Sequence, residues 1–235
     1  MFKELQKCVR DRGPAPIVTW VSEVGRIELS ATTFNNAISK ASNFLVDGLE
    51  LEEDASLNIS LGNHWQSAVW LGTALSTGLT IVEDDPAITF GDKSQAQVWQ
   101  GSPEEFVVVS QDPFGMPDKE IPNGFVNGSA EVRNFGDFFS PRWPVAPDHN
   151  AIAIDSGEFT WSQLMQRAQE LADANELKPG QSYGLYGSSD LITTIAFQVV
   201  LPVAFGHSVV LIDQANPDLA AIKKQEKLEQ IMRLG

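Results

Sequence analysis

The chain has little with which to hold an anion. Its 235 residues include 16 Lys and Arg against 31 Asp and Glu, a formal net charge of −15. The shortage is sharper inside, because positions 13–222 carry 8 basic residues and 27 acidic ones. A nucleic-acid partner is thereby excluded, since phosphate backbones need a basic footprint. Cysteine is nearly absent. The lone Cys8 excludes a disulfide framework and a Cys-based zinc site, and it fits a reducing compartment. Histidine is scarce too. His64, His149 and His207 are scattered without an i,i+4 partner, so no metal site is expected. Long apolar runs are missing. The longest, from Ile195 to Gly206, is interrupted by Gln198 and Pro202 and is too short to cross a bilayer, so no membrane span is expected. The opening MFKELQKCVRDRG has a charge every few residues and no stretch suited to a signal peptide, so the expected location is cytoplasmic.

What is present is an alternation of short apolar strands and helices. Strand-like runs occur at Ile17–Val21, Ser56–Leu61, Leu79–Glu83, Phe106–Ser110, Ala151–Asp155, Tyr183–Tyr186 and Ser208–Asp213. Between them Phe34, Ile38, Ala41 and Leu45 recur at helical spacing, as do Leu164, Ala168, Leu171 and Ala172. Strands alternating with helices imply an α/β fold with mostly parallel sheets.

An internal repeat organises the pattern. Glu28-Leu29-Ser30 through Val82 matches Glu158-Phe159-Thr160 through Val210. Each copy opens with an apolar–hydroxyl step and a helix. A turn follows, Leu51-Glu52-Glu53-Asp54 or Leu177-Lys178-Pro179-Gly180, then a strand and a second helix. That helix ends at Gly78 or Gly206, where glycine suits a left-handed cap. Two pseudo-repeated βαβαβ subdomains result. The division is a helix over 1–12, a first subdomain over 13–110, an irregular connector over 111–146 and a second subdomain over 147–235. The connector includes the turn Asp112-Pro113-Phe114-Gly115.

Candidate sites are few. Gly91-Asp92-Lys93-Ser94 has the look of a P-loop tail, but Pro86 stands where the earlier glycine is needed, so a turn is expected. Gly187, Ser188 and Ser189 follow a strand and precede a helix, which is the geometry of an anion site. Capping of that helix by Ser188, Ser189 or Asp190 is the competing expectation. No Gly-x-Ser-x-Gly elbow exists for a hydrolase. Trp65, Trp70, Trp99, Trp143 and Trp161 are expected to be packing residues.

The repeat resembles the N-terminal domain of the adenylate-forming superfamily, the acyl-CoA synthetases, luciferases and nonribosomal adenylation domains. The matching stretches are Glu28–Glu83, with Asn63 before the second helix, and Val145-Ala146-Pro147-Asp148 through Gly206-His207-Ser208-Val209-Val210-Leu211. The match runs on into Pro217-Asp218-Leu219 and a closing helix to Leu234-Gly235. Asp112-Pro113-Phe114-Gly115 and Glu131-Val132-Arg133 are also similar to a set of short actinobacterial acyl-CoA synthetase-like proteins. The resemblance implies an acetyl-CoA synthetase-like N-terminal domain. It also implies a Ser/Thr/Gly-rich loop ending in Pro-Lys-Gly, whose amides and lysine hold ATP phosphates.

At that place this chain has Asp155-Ser156-Gly157-Glu158, which is shorter, lacks lysine and carries two carboxylates. Two like charges about 4 Å apart repel by about 4 kcal/mol at an effective dielectric of 20. The family's later motifs and its catalytic lysine have no counterpart in the 235 residues. The expectation is a truncated, catalytically deficient superfamily member acting as a binding or interaction module, with no cofactor and no catalytic residue. A protein partner or second copy would cover an exposed domain face. The alternative is an acid–CoA ligase-like enzyme, or an acyl, CoA or nucleotide binder, that keeps part of the ancestral site.

Overall fold

A computed structural model describes every residue except Asp54, Pro147, Asn216 and Gly235. Three of these, Asp54 in the first copy's turn, Pro147 opening the second subdomain and Gly235 closing the chain, belong to expectations that lie outside the described residues.

In chain order the first elements are helix α1 (Phe2–Arg12), strands β1 (Pro16–Ser22) and β2 (Arg26–Ser30), helix α2 (Ala31–Asn43), strand β3 (Ser56–Ser60), helix α3 (Trp65–Thr77), strands β4 (Thr80–Val82) and β5 (Ile88–Gly91), and helix α4 (Lys93–Val98). Next come β6 (Phe106–Val108), β7 (Val126–Asn127), the short helix α5 (Gly128–Glu131), β8 (Asn150–Ile154), β9 (Gly157–Thr160) and α6 (Trp161–Ala174). The last are β10 (Ser182–Gly187), α7 (Leu191–Ile195), a π turn over Ala196–Val200, α8 (Leu201–Ala204), β11 (Ser208–Asp213), α9 (Leu219–Gln225) and β12 (Gln230–Leu234).

These elements form two compact units, each with its own sheet. One unit holds Met1–Phe2, Asn36–Leu61 and Val69–Trp161, with seven strands in the order β7-β6-β5-β3-β4-β8-β9. The other holds Lys3–Asn35, Gly62–Ala68 and Ser162–Gly235, with five strands in the order β12-β10-β11-β1-β2. Both sheets are parallel except at one edge, where a hairpin supplies an antiparallel last strand. The α/β class and mostly parallel sheets are therefore as expected.

The units cut across the ranges 13–110 and 147–235, because the two copies exchange their opening hairpins. Strand β1 pairs with β11 of the second copy, Val18 opposite Val209. Strand β8 pairs with β4 of the first copy, Ile152 opposite Ile81. All four residues are buried.

Local sequence explains the elements. Ser30 accepts the Thr33 amide at 3.1 Å and caps α2. In α2 the expected stripe of Phe34, Ile38 and Ala41 is buried. Helix α3 is buried nearly all round, and Thr73 and Thr77 turn their hydroxyls back onto the carbonyls of Val69 and Thr73 at 2.8 and 3.0 Å. Gly78 and Gly206 adopt φ +83° and +76°, the left-handed caps their spacing implies. The Pro179–Gly180 turn closes with the Gln181 amide on the Lys178 carbonyl at 3.1 Å.

The closing helix is shorter than expected. It stops at Gln225, and Gln230–Leu234 is a strand parallel to β10. Gly184 opposes Ile231, and a Cβ on Gly184 would lie 2.9 Å from the Ile231 side chain. The missing side chain makes room for β12, which an isolated reading of residues 230–234 does not show.

Candidate functional site

Asp155-Ser156-Gly157-Glu158, expected from the resemblance at the phosphate-loop position, forms the turn between β8 and β9 and the start of β9. Ile154 pairs with Gly157, so Asp155 and Ser156 alone connect the strands, and both are exposed. Gly157 sits at φ +132°, a region open in practice only to glycine. Glu158 accepts a hydrogen bond from the Asn150 amide at 2.6 Å. Among the described residues no cation lies within ion-pair distance of Asp155 or Glu158. Two turn residues cannot supply the run of amides that a phosphate cradle needs.

The second candidate, Gly187-Ser188-Ser189, lies in the other unit at the end of β10. A Cβ on Gly187 would meet the Leu234 carbonyl oxygen at 2.0 Å, so glycine serves the β10–β12 pairing. Ser189 shares a hydrogen bond with the Thr194 hydroxyl at 2.9 Å. Asp190 caps α7, accepting the Thr193 amide at 2.9 Å and the Thr193 hydroxyl at 2.7 Å. Burial works to raise the Asp190 carboxyl, but the amide and hydroxyl bonds outweigh it and hold it below the usual carboxylate range. An incoming anion would meet an amide already taken and a fixed negative charge. The capping expectation is the one this geometry matches.

The same holds at Gly91–Ser94, where the expected turn is instead the start of helix α4. Asp92 accepts the amides of Ser94 and Gln95, and Gln95 returns a bond to the Asp92 amide, forming a capping box. In the second unit the Asn63 amide bridges the carbonyls of Leu185 and Ile212 at 3.1 and 3.0 Å, at the carboxyl ends of β10 and β11. His207 is buried, and burial, opposed by the backbone bond with Gln181 and aided by the Arg12 charge, pushes its imidazole below the ordinary histidine range. Among the described residues no group of three His, Cys, Asp or Glu could hold a metal, and no helix is long and apolar enough to cross a membrane.

A feature that sequence reasoning missed lies within the seven-stranded unit. A cavity of about 580 Å³ opens on the sheet face beside α4. Asn58, Thr89 and Phe106 form one cross-strand row over β3, β5 and β6, and all three line it. Ser60 lies one row further along β3. Trp99, half-buried, stands 5.0 Å from the Phe106 ring, centroid to centroid. Gly91 makes the fit possible, since a Cβ there would meet Gln95 at 2.5 Å and Phe106 at 2.6 Å. The sequence signal was present in the Thr89/Gly91 spacing. It required knowing that residues 88–91 form a strand.

Comparison with known proteins agrees with this architecture. No family model matches the chain. A "TIGR03089 family protein" of Mycobacterium tuberculosis (strain ATCC 25618 / H37Rv) is 27% identical over 230 residues, 89% of this chain and 86% of that protein. Among solved structures, an acyl-CoA synthetase of Brucella canis superposes with a TM-score of 0.79 at 12% identity, over 99% of this chain and 47% of that one. The acetoacetyl-CoA synthetase of Streptomyces lividans gives 0.76 at 14%, over 98% and 42%. The coronafacic acid ligase of Pectobacterium brasiliense gives 0.71 at 15%, over 99% and 49%. The chain thus has the fold of the N-terminal domain of acyl-CoA synthetases and spans less than half the length of the solved enzymes it matches.

Proposed function

We propose that this chain is an adenylation-deficient relative of the acyl-CoA synthetases that works as a binding or interaction module in the cytoplasm. The β8–β9 turn carries the reading. Where the resemblance places a lysine-bearing phosphate loop, the chain makes a two-residue hairpin turn, Asp155-Ser156, with Glu158 just beyond it. Adenylate formation needs cationic and amide groups aimed at the departing pyrophosphate, and this turn offers carboxylates. The excess of 27 acidic over 8 basic residues across positions 13–222 supports the same reading. The lone, buried Cys8 fits a reducing compartment. The cavity beside α4 favours a small-molecule role, and the exposed Phe114 and Phe138 support a partner or second copy.

The test is ATP–pyrophosphate exchange by the purified chain with a panel of carboxylic acids. No exchange above the protein-free rate is expected. Sustained exchange would overturn the proposal and return the chain to the ligases.

A further inference from the structure

The cavity beside α4 is lined by polar groups of which several are already committed. Asn58 spends its amide donors on the carbonyls of Val82 and Glu83, at 2.9 and 3.5 Å, and keeps its carbonyl oxygen. The Trp99 indole N–H is committed to the Ser102 carbonyl at 3.1 Å. The Gln100 amide is committed to the Val98 carbonyl at 3.1 Å. Gln95 donates to the Ser60 hydroxyl at 2.8 Å and receives the Asp92 amide at 2.7 Å. Among the described residues the Thr89 hydroxyl and the Glu83 carboxylate have no hydrogen-bond or ion-pair partner. The lining is left with the Asn58 carbonyl oxygen, the Thr89 and Ser60 hydroxyls, which can donate or accept, and one negative charge at an exposed edge.

The rest of the wall is apolar. Phe106 and Trp99 supply aromatic surface, and Val98 is 71% exposed at the mouth. The volume falls in the range of small-molecule sites, which are apolar with a few placed polar groups. A ligand that fits brings an aromatic or alicyclic body and a donor for the Asn58 carbonyl oxygen. A cation gains further from Glu83 and from the aromatic rings.

The geometry points to this cavity as a binding site for a compact aromatic amine, with the ring against Trp99 and Phe106 and the ammonium toward Glu83, Asn58 and Thr89. The assignment rests on the binding reading above and names its ligand class, an amine rather than a carboxylic acid. Carboxylates and phosphates are disfavoured because they would meet the Glu83 carboxylate.

The test uses the full chain and three probes with one ring system: tryptamine, indole and indole-3-acetate, followed by calorimetry and ligand-observed NMR. Tryptamine should bind about tenfold more tightly than indole-3-acetate, with indole between them. Glu83→Gln, at an exposed position, should weaken tryptamine about three- to fivefold and leave indole unchanged. Thr89→Val tests the inner wall and should weaken tryptamine by a similar factor, with thermal unfolding as the folding control. Absence of tryptamine binding up to about 1 mM, a preference for the acid, or indifference to Glu83→Gln would overturn the site. Those results leave the pyrophosphate-exchange outcome untouched, and sustained exchange would leave these binding results untouched, so the two proposals fail separately.

Discussion

The two opening hairpins are built to one plan and differ at their tips. In the first, Pro16 pairs with Ser30 and Val18 with Leu29, with a bulge between. In the second, Asn150 pairs with Thr160 and Ile152 with Phe159, with a bulge at the same place. Each then lends its longer strand to the sheet of the other copy, Val18 to Val209 and Ile152 to Ile81. The difference is length. Positions 16–30 enclose a turn closed by the Ser22 amide on the Gly25 carbonyl at 2.9 Å, and positions 150–160 are four residues shorter. The hairpin at which the resemblance would put a phosphate loop is thus the shorter of the two. What remains there does the job of its counterpart, which is to turn a strand that closes a sheet.

Separating the copies is the largest way to break that equivalence. Residues 1–140 and 141–235 produced as two polypeptides each lack the hairpin that their own sheet pairs with. The edges at β4 and β11 would be left as unpaired backbone beside buried apolar residues. Neither piece should show a cooperative urea transition, and co-expression should restore one. A cooperative transition in either piece alone would show that the exchanged hairpin is dispensable.

A smaller perturbation probes one hairpin at its pairing point. Ile152 is fully buried between Ile81 and Phe159. Ile152→Ala should cost about 2–4 kcal/mol in urea unfolding. The equivalent Val18→Ala should cost less, because fewer atoms are removed. A loss below about 0.5 kcal/mol at Ile152 would mean that the strand is held by its backbone bonds alone.

The legible part of the molecule was the part written in side-chain periodicity. The apolar strands, the buried stripe of α2 and the glycine caps at Gly78 and Gly206 follow from local rules. The repeat was legible from Glu28 and Glu158 onward. Hairpin exchange was not, because which sheet a strand joins depends on pairing far along the chain. Strands β2 and β9 were also hidden, since RIELS and GEFT are polar edge strands without an apolar run. Strand β12 depended on the bare backbone of Gly184. At the candidate sites, the sequence itself places carboxylates at Asp155 and Glu158. The cavity escaped because its row runs across β3, β5 and β6, at right angles to the sequence.

The smallest expected effect concerns the helix starts, where the chain places its own carboxylates. Asp190→Ala removes the cap of α7 and should cost about 1 kcal/mol near neutral pH. The folded-state carboxyl titrates below the unfolded one, because the Thr193 amide and hydroxyl favour its charged form more than burial disfavours it. Its contribution is therefore complete above the unfolded value, about 3.9, and is lost as the pH falls through the folded value. Urea midpoints of the parent and variant should differ at pH 7 and converge in acid. Chloride or phosphate should not close the gap at pH 7 in the parent, since Asp190 already holds the Thr193 amide. In Asp190→Ala the freed amide is open, and added phosphate should recover part of the lost stability. If phosphate stabilised the parent as much as the variant, the junction at Gly187–Ser189 would be a working anion site after all.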